Sequence, residues 1–255
     1  MNEILAPSDI ERIAETLVRD FYKHGYPEFA PIDIERFATE YCGFALKYEK
    51  LSDSGRVLGV TSCRDTSLKL PRNGNMDIVM LPKKTLLIEQ SLSENSRLRG
   101  RQRFSIAHEC AHQLLFDIQK HKVQLCYRSY FNSENQHTLA QIKKLNAPDE
   151  YNANQLGAAL LMPYGLMELV MYRFHPQGRL MLYGDYMTKT DKRMLCDIAA
   201  FLGVSKQALT IRLKELNMVD IRPQGDCLVA DEAENYGGNR QHERATACGG
   251  DNQYE

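Results

Sequence analysis

Charge of one sign is missing from this chain of 255 residues: 32 Lys and Arg stand against 33 Asp and Glu, for a formal net charge of -1. No global field therefore draws it to nucleic acid or to an anionic membrane, and any such contact must be local. Long hydrophobic runs are missing too. The most apolar stretch, "AALLMPYGLMELVMY", is broken by Pro163, Gly165 and Glu168 and falls short of a membrane span. The first residues, "MNEILAPSDIERIAETL", carry acids from the third position and no basic start before an apolar run, so no secretory signal is expected there. Seven cysteines (Cys42, Cys63, Cys110, Cys126, Cys196, Cys227 and Cys248) are odd in number, scattered and never spaced as CxxC. That pattern suits neither a secreted disulfide framework nor a cysteine zinc ribbon, and the cytoplasm is the expected compartment. Internal repeats and long low-complexity blocks are also lacking. What is present, 43% hydrophobic residues, can bury a sizeable core in one large domain or one domain with a small appendage.

Ile10, Ile13, Leu17 and Phe21 recur at helical spacing before "KHGYP" ends the first helix, and a second is expected from about Ile32 to Tyr41, stopping at Gly43. Between Phe44 and Gln90 the pattern changes to short β-like runs, "FALKYEKL", "RVLGVTSC", "DIVML" and "TLLIEQSL", which read as strands of a small sheet. The next helix is expected to follow at once. Beyond it, "DIQKHKVQLCYRSYFNSENQHTLAQIKKLNAP" reads as a long polar connection. "DEYNANQLGAALLMP" is then a helix whose Ala153, Leu156, Gly157, Leu160 and Leu161 form one apolar stripe, with Pro163 ending it.

The segment "RFSIAHECAHQLLF" places His108 and His112 four residues apart with Glu109 beside the first. Helical residues turn by about 100° each, so the two imidazoles project from one face and can grip one ion together. Glu109 flanks that face and can reach a water on the ion without ligating it, which is the chemistry of HExxH sites. Neutral imidazole and carboxylate suit Zn2+. Phe104, Ile106, Ala107, Cys110, Ala111, Leu114 and Leu115 surround the motif with apolar residues, so the helix is also a core helix. Cys110 is expected to act there as a small buried hydrophobe and not as a redox switch.

A catalytic zinc site takes three protein ligands and keeps one position open. A third histidine six residues on is excluded, since Leu115 and Ile118 occupy the positions that such a pattern needs. Glu150 shares the buried stripe of its own helix and is one candidate, with Asn154 a turn later able to support a ligand by hydrogen bonding. The alternative, less favoured, is that Glu150 is an acid at a helix start, where "PDE" complements the macrodipole. His121 and His137 are competing ligands in the polar connection.

Three stretches together, "RQRFSIAHECAHQLLF", "EYNANQLGAALLMP" and "LGVSKQALTIRLKELNMV", resemble the ImmA/IrrE family of metallopeptidases, and the resemblance runs from the first helix to about Val219. It implies an α+β, zincin-like fold of the gluzincin type, with His108, His112 and Glu150 as zinc ligands and Glu109 as catalytic general base. It also implies a protein substrate: relatives of this kind cleave or inactivate helix-turn-helix repressors of mobile elements and stress regulons, or belong to toxin-antitoxin-like pairs. The family usually has Gly before the second His, where this chain has Ala111. One added methyl on a better helix former is expected to change local packing and leave the site intact. The strand "TLLIEQSL" is the expected edge for substrate pairing, and Tyr151, Tyr164 and His175 are candidates by type for stabilising the oxyanion.

"MLCDIAAFLGVSKQALTIRLKEL" reads as helix, Gly turn, helix, with Ser205 as N-cap and Leu209, Leu213 and Leu216 at core spacing. It resembles a helix-turn-helix that would point Lys206, Gln207, Thr210 and Lys214 outward. Asp197, Glu215 and Asp220 dilute the basic footprint of a nucleic-acid reader, so direct DNA binding is the less favoured use of the pair. Packing on the peptidase domain, or contact with a protein partner, is the favoured one. The organisation expected is a metallopeptidase domain over 1–190, the helical pair packed on it over 191–222, and a disordered tail over 223–255.

Overall fold

The computed structural model describes residues 4–25, 30–72, 74–119, 139–175, 178–184 and 186–226. Pro7 opens helix α1, Pro7–Lys23, whose Ile10, Ala14, Val18 and Phe21 form the buried stripe that the helical spacing predicts. Helix α2, Ile34–Arg36, runs on into a π-helical turn, Phe37–Tyr41, and Asp33 caps it by accepting from the Arg36 N–H. Strands β1 (Ala45–Glu49), β2 (Gly59–Ser62), β3 (Thr66–Arg72), β4 (Asn75–Leu81) and β5 (Thr85–Glu89) follow. A short helix α3, Ser91–Glu94, and a 3-10 turn, Ser96–Leu98, then lead into α4, Arg99–Gln119. The remaining elements are α5 (Leu139–Leu161), α6 (Tyr164–Phe174), β6 (Leu180–Tyr183), α7 (Lys189–Leu202), α8 (Lys206–Glu215) and β7 (Val219–Arg222). The mixed α and β content agrees with the expected fold class.

Among the described residues the strands of the expected small sheet divide into two, and a third pair lies near the end of the chain. β5 lies in the middle of a sheet ordered β1-β5-β2, parallel to β1 and antiparallel to β2. β3 and β4 form an antiparallel hairpin, and β6 pairs with β7 in parallel. This corrects the reading of "TLLIEQSL" as the substrate-pairing edge. Both sides of β5 are taken by neighbours and all five of its residues are buried, which is why its sequence is a continuous apolar run and not an alternation. The strand also stops at Glu89, and Ser91 already belongs to α3, so α4 does not follow the strand at once.

Alternation along β5 divides the interior. Leu86 and Ile88 join the main core with Ile106 and Ala107 of α4, whereas Leu87 joins Leu51, Leu68, Leu70 and Leu81 under the β3–β4 hairpin. The sheet is thus covered by α4 on one face and by the hairpin on the other. Each fully buried Leu or Ile contributes roughly 1.5–3 kcal/mol, so the two clusters hold β5 from opposite faces.

The second correction concerns α5. Residues 139–148 belong to its helix and not to the polar connection, and the helix carries Pro148 within it. Residues 120–138, including Cys126, His121 and His137, lie outside the described residues, as do Cys227, Cys248 and most of the expected tail.

The C-terminal pair folds as its spacing predicts. Gly203 takes φ 65° at the end of α7, Ser205 caps α8 by accepting from the Ala208 N–H at 3.1 Å, and the two helices bend by 100°. Leu209 and Leu213 enter the same core as α1, α4 and α5. Lys206, Gln207 and Lys214 are exposed and Thr210 is half-buried. Arg212, which spacing alone leaves unremarked, is 2% exposed; its Nε donates to the Met162 carbonyl at 3.0 Å and its Nη atoms donate to both Glu11 oxygens at 2.6 and 2.8 Å. Among the described residues no single helix is long and apolar enough to cross a membrane.

Candidate metal centre

Helix α4 carries the HExxH motif and is held on either side of it. Near its start, Arg103 Nη2 donates to the Ile32 carbonyl at 2.7 Å, and a Cβ at Gly100 would stand 3.2 Å from the Ser205 nitrogen, so the first turn rests on the turn before α8. One turn after the motif begins, buried Gln113 donates from Nε2 to Thr61 Oγ1 at 2.6 Å and fixes α4 to β2. Ala111 is fully buried, and its methyl is accommodated in the core.

Helix α5 crosses α4 at close range. A Cβ on Gly157 would sit 3.1 Å from the His108 nitrogen, so only glycine permits this approach without displacement. Buried Asn152 accepts from the Leu5 N–H at 3.0 Å and ties α5 to the start of α1. The crossing brings Glu150 over the two histidines. His108 Nε2 lies 3.3 Å from Glu150 Oε2, His112 Nε2 lies 3.6 Å from Glu150 Oε1, and the two Nε2 atoms are 3.1 Å apart. Glu150 stands well inside α5, so its placement is not that of an acid at a helix start.

These three residues form a set that could hold a metal ion. Ligands at about 2.0–2.1 Å from a tetrahedral zinc stand about 3.3 Å from one another, and the three separations bracket that value. The donors also fit chemically, since two imidazole nitrogens aimed at each other across 3.1 Å need a proton or a cation between them. Each ligand side chain remains between 17% and 35% exposed, which leaves the site open on one side.

Charge in the cluster is unevenly supported. Burial raises the Glu150 carboxyl, but hydrogen bonds from His108 and His112 outweigh it and hold the group well below the usual carboxylate range. Burial disfavours the charged form of His108, yet the hydrogen bond to Glu150, the negative charges of Glu109 and Glu150, and Asn154 together leave its pKa raised. Asn154 thus acts on His108, as its spacing after Glu150 suggests. Glu109 behaves oppositely to Glu150. It is 7% exposed, burial lifts its pKa, and the two histidines only partly offset that rise. Cys110, at 0% exposure, has its thiol pushed well above its ordinary value by burial and is no reactive thiol.

Sequence reasoning missed Gly59. It lies on β2 directly against the motif, and a Cβ there would approach Glu109 Oε1 to 2.6 Å. A Gly opening a strand in "RVLGVTSC" is a signal for close approach, although nothing local says to what. Of the oxyanion candidates, Tyr151 and Tyr164 are each 43% exposed on α5 and α6, and His175, at the end of α6, stands 3.6 Å from buried Asp191 of α7. His175 is not one of the three residues of the metal-capable cluster.

The family model of the IrrE N-terminal-like domain, Peptidase_M78, matches residues 72–214, from the β3–β4 hairpin to α8. No curated protein matches the sequence. That one match takes in both helices of the cluster and more than half of the chain, and the chain belongs to the IrrE N-terminal-like family of metallopeptidases.

Proposed function

We propose that the protein is a zinc-dependent endopeptidase in which His108, His112 and Glu150 hold the ion and Glu109 is the general base. The observation that carries this reading is the near-tetrahedral spacing of three donor atoms from two helices, with a buried carboxylate next to them in sequence. When bound, zinc supplies Lewis acidity to a scissile carbonyl and to a water. Glu109 takes the proton of the attacking water on its carboxylate and passes it to the leaving amine nitrogen.

Substrate pairs, on this reading, along β2. It is the edge strand on the motif side, and the Leu58 carbonyl accepts from the Glu89 N–H at 3.0 Å in register with the β2–β5 ladder. Antiparallel alternation then turns the N–H and C=O groups of Gly59 and Thr61 outward, beside Glu109, where an extended peptide can add as a further strand. The substrate is a folded protein regulator, of the helix-turn-helix repressor class that the family resemblance implies, and the reaction takes place in the cytoplasm. Incubating the purified protein with the product of its neighbouring gene tests this directly. Cleavage that stops with chelator and returns with zinc is expected, and an uncut regulator would remove it as the substrate.

One observation favours a second use of the chain. The 100° bend and glycine turn between α7 and α8 suit a helix-turn-helix, which would make the protein a non-catalytic regulator that binds DNA or a repressor around a structural metal. Salt-dependent, sequence-selective binding to the operator beside its own gene, with no cleavage of any protein, is the result that would favour it.

A further inference from the structure

A cavity of about 200 Å³ opens on the face of the sheet opposite the metal cluster, between the loop that follows β1 and the free side of β3. Leu51, Val57, Val60, Leu70, Pro71 and Met76 give it largely apolar walls, and Ser52, Asp53 and Lys69 also line it. The cavity is smaller than the ~300–1,000 Å³ of a typical small-molecule pocket, so it suits one side chain better than a cofactor. Val60 is the link to the peptide edge. It pairs with Leu87, whose side chain lies under the hairpin, so Val60 also faces the hairpin, while Gly59 and Thr61 face α4.

We propose that this cavity is a specificity subsite that takes an unbranched or branched aliphatic side chain of the substrate. The inference rests on the reading of β2 as the peptide-pairing edge. A peptide laid along β2 sends alternate side chains to opposite faces. Residues opposite Gly59 and Thr61 point toward the motif helix. The residue opposite Val60 points the other way, its Cβ about 4.5–5.5 Å from that of Val60, toward the face on which Val60 lines the cavity. Two faces of one short edge strand thus have two tasks: one presents the bond to be cut, and the other reads the side chain next in line. A leucine, isoleucine or methionine fits the apolar walls, whereas glycine leaves the cavity empty and aspartate gives up hydration beside the Asp53 that lines it.

The test is the cleavage profile of the zinc-loaded full chain on a random peptide mixture, with products sequenced by mass spectrometry. The expected profile shows one position, adjacent to positions of little preference, at which aliphatic residues exceed glycine and aspartate by about tenfold or more. Val57→Trp, which fills the cavity mouth, and Met76→Lys, which places a charge at its rim, should each abolish that enrichment. Val57 is 40% and Met76 55% exposed, so neither change disturbs a packed core. Ile78→Lys, an exposed residue of β4 that does not line the cavity, should leave the profile as it is. Cleavage with no aliphatic position in the wild type, enrichment that survives in both cavity variants, or an equal loss with Ile78→Lys would each overturn the subsite. A wild-type protein that cuts neither the mixture nor the regulator encoded beside it would instead remove the peptidase reading, and the subsite with it.

Discussion

A Cβ placed on Gly59 would come within 2.6 Å of Glu109 Oε1, which makes the first residue of the β2 edge the floor on which the proposed general base rests. Gly59→Ala must therefore push the carboxylate aside or lift the strand. The expected result is a fall in kcat of about a hundredfold, from a misplacement of the order of 1 Å, with metal content unchanged. Full activity in a folded Gly59→Ala protein would show that Glu109 has room the contact denies.

Glu109→Gln should keep the metal and lose cleavage by about 10²–10⁴-fold, the usual contribution of a positioned acid-base group. Stability should move the other way in metal-free protein. Burial raises the folded-state pKa of Glu109, so the ionised carboxylate destabilises the fold, and the penalty appears as pH rises from the ordinary carboxylate range through the raised value. The Gln variant is accordingly the more stable one at pH 7, with the gap closing toward pH 4; melting curves of both proteins with chelator measure it, and a gap that widens in acid would contradict the sign.

Gly157 sets the distance between the histidine helix and the glutamate helix. Adding a methyl 3.1 Å from the His108 nitrogen should drive α5 outward by a few tenths of an ångström and loosen the grip of Glu150. Gly157→Ala is expected to weaken zinc affinity by about tenfold, and Asn154→Ala, which removes support from His108, by a similar factor. Competition with a chromogenic chelator reads both, and unchanged affinity in each would detach α5 from the metal.

Much of this site can be read from the chain without coordinates, and what cannot be read has a physical reason. The four-residue step from His108 to His112 is local geometry, fixed once the segment is helical. Glu150 is legible only as a residue on a buried stripe; that the stripe meets the histidines depends on the crossing at Gly157, a tertiary contact. The apolar run in β5 marks a buried strand, but whether a buried strand is central or an edge is a property of its neighbours, and here it is central. β6 and β7 are four residues each and find one another across almost forty positions, so neither announces its partner.

Removal of metal should lower the melting temperature, because an ion bound only by the folded protein stabilises it in proportion to RT ln(1 + [L]/Kd), about 2.7 kcal/mol at a hundredfold excess over Kd. Chelator should lower Tm and zinc restore it. In His112→Ala both effects should vanish, and a Tm that ignores zinc in the parent protein would argue against a site formed on folding.

Glu11→Ala strands the Arg212 guanidinium, 2% exposed, with only the Met162 carbonyl and a Glu215 oxygen at 3.8 Å. Removing one partner of a buried pair costs about 3 kcal/mol, and urea unfolding should show a loss of that order. A change under about 0.5 kcal/mol would mean that the pair is screened as surface pairs are.

The same pair has a consequence for how the protein is made. Glu11 and Arg212 are 201 positions apart, and between them lie both helices of the metal cluster. During synthesis α1 leaves the ribosome early and waits without its partner, while α4 and α5 emerge and can meet through contacts of their own. The brace that joins α1 to α8 closes only after Arg212 has emerged, so a half-made chain can bring its histidines and Glu150 together before the frame around them is locked.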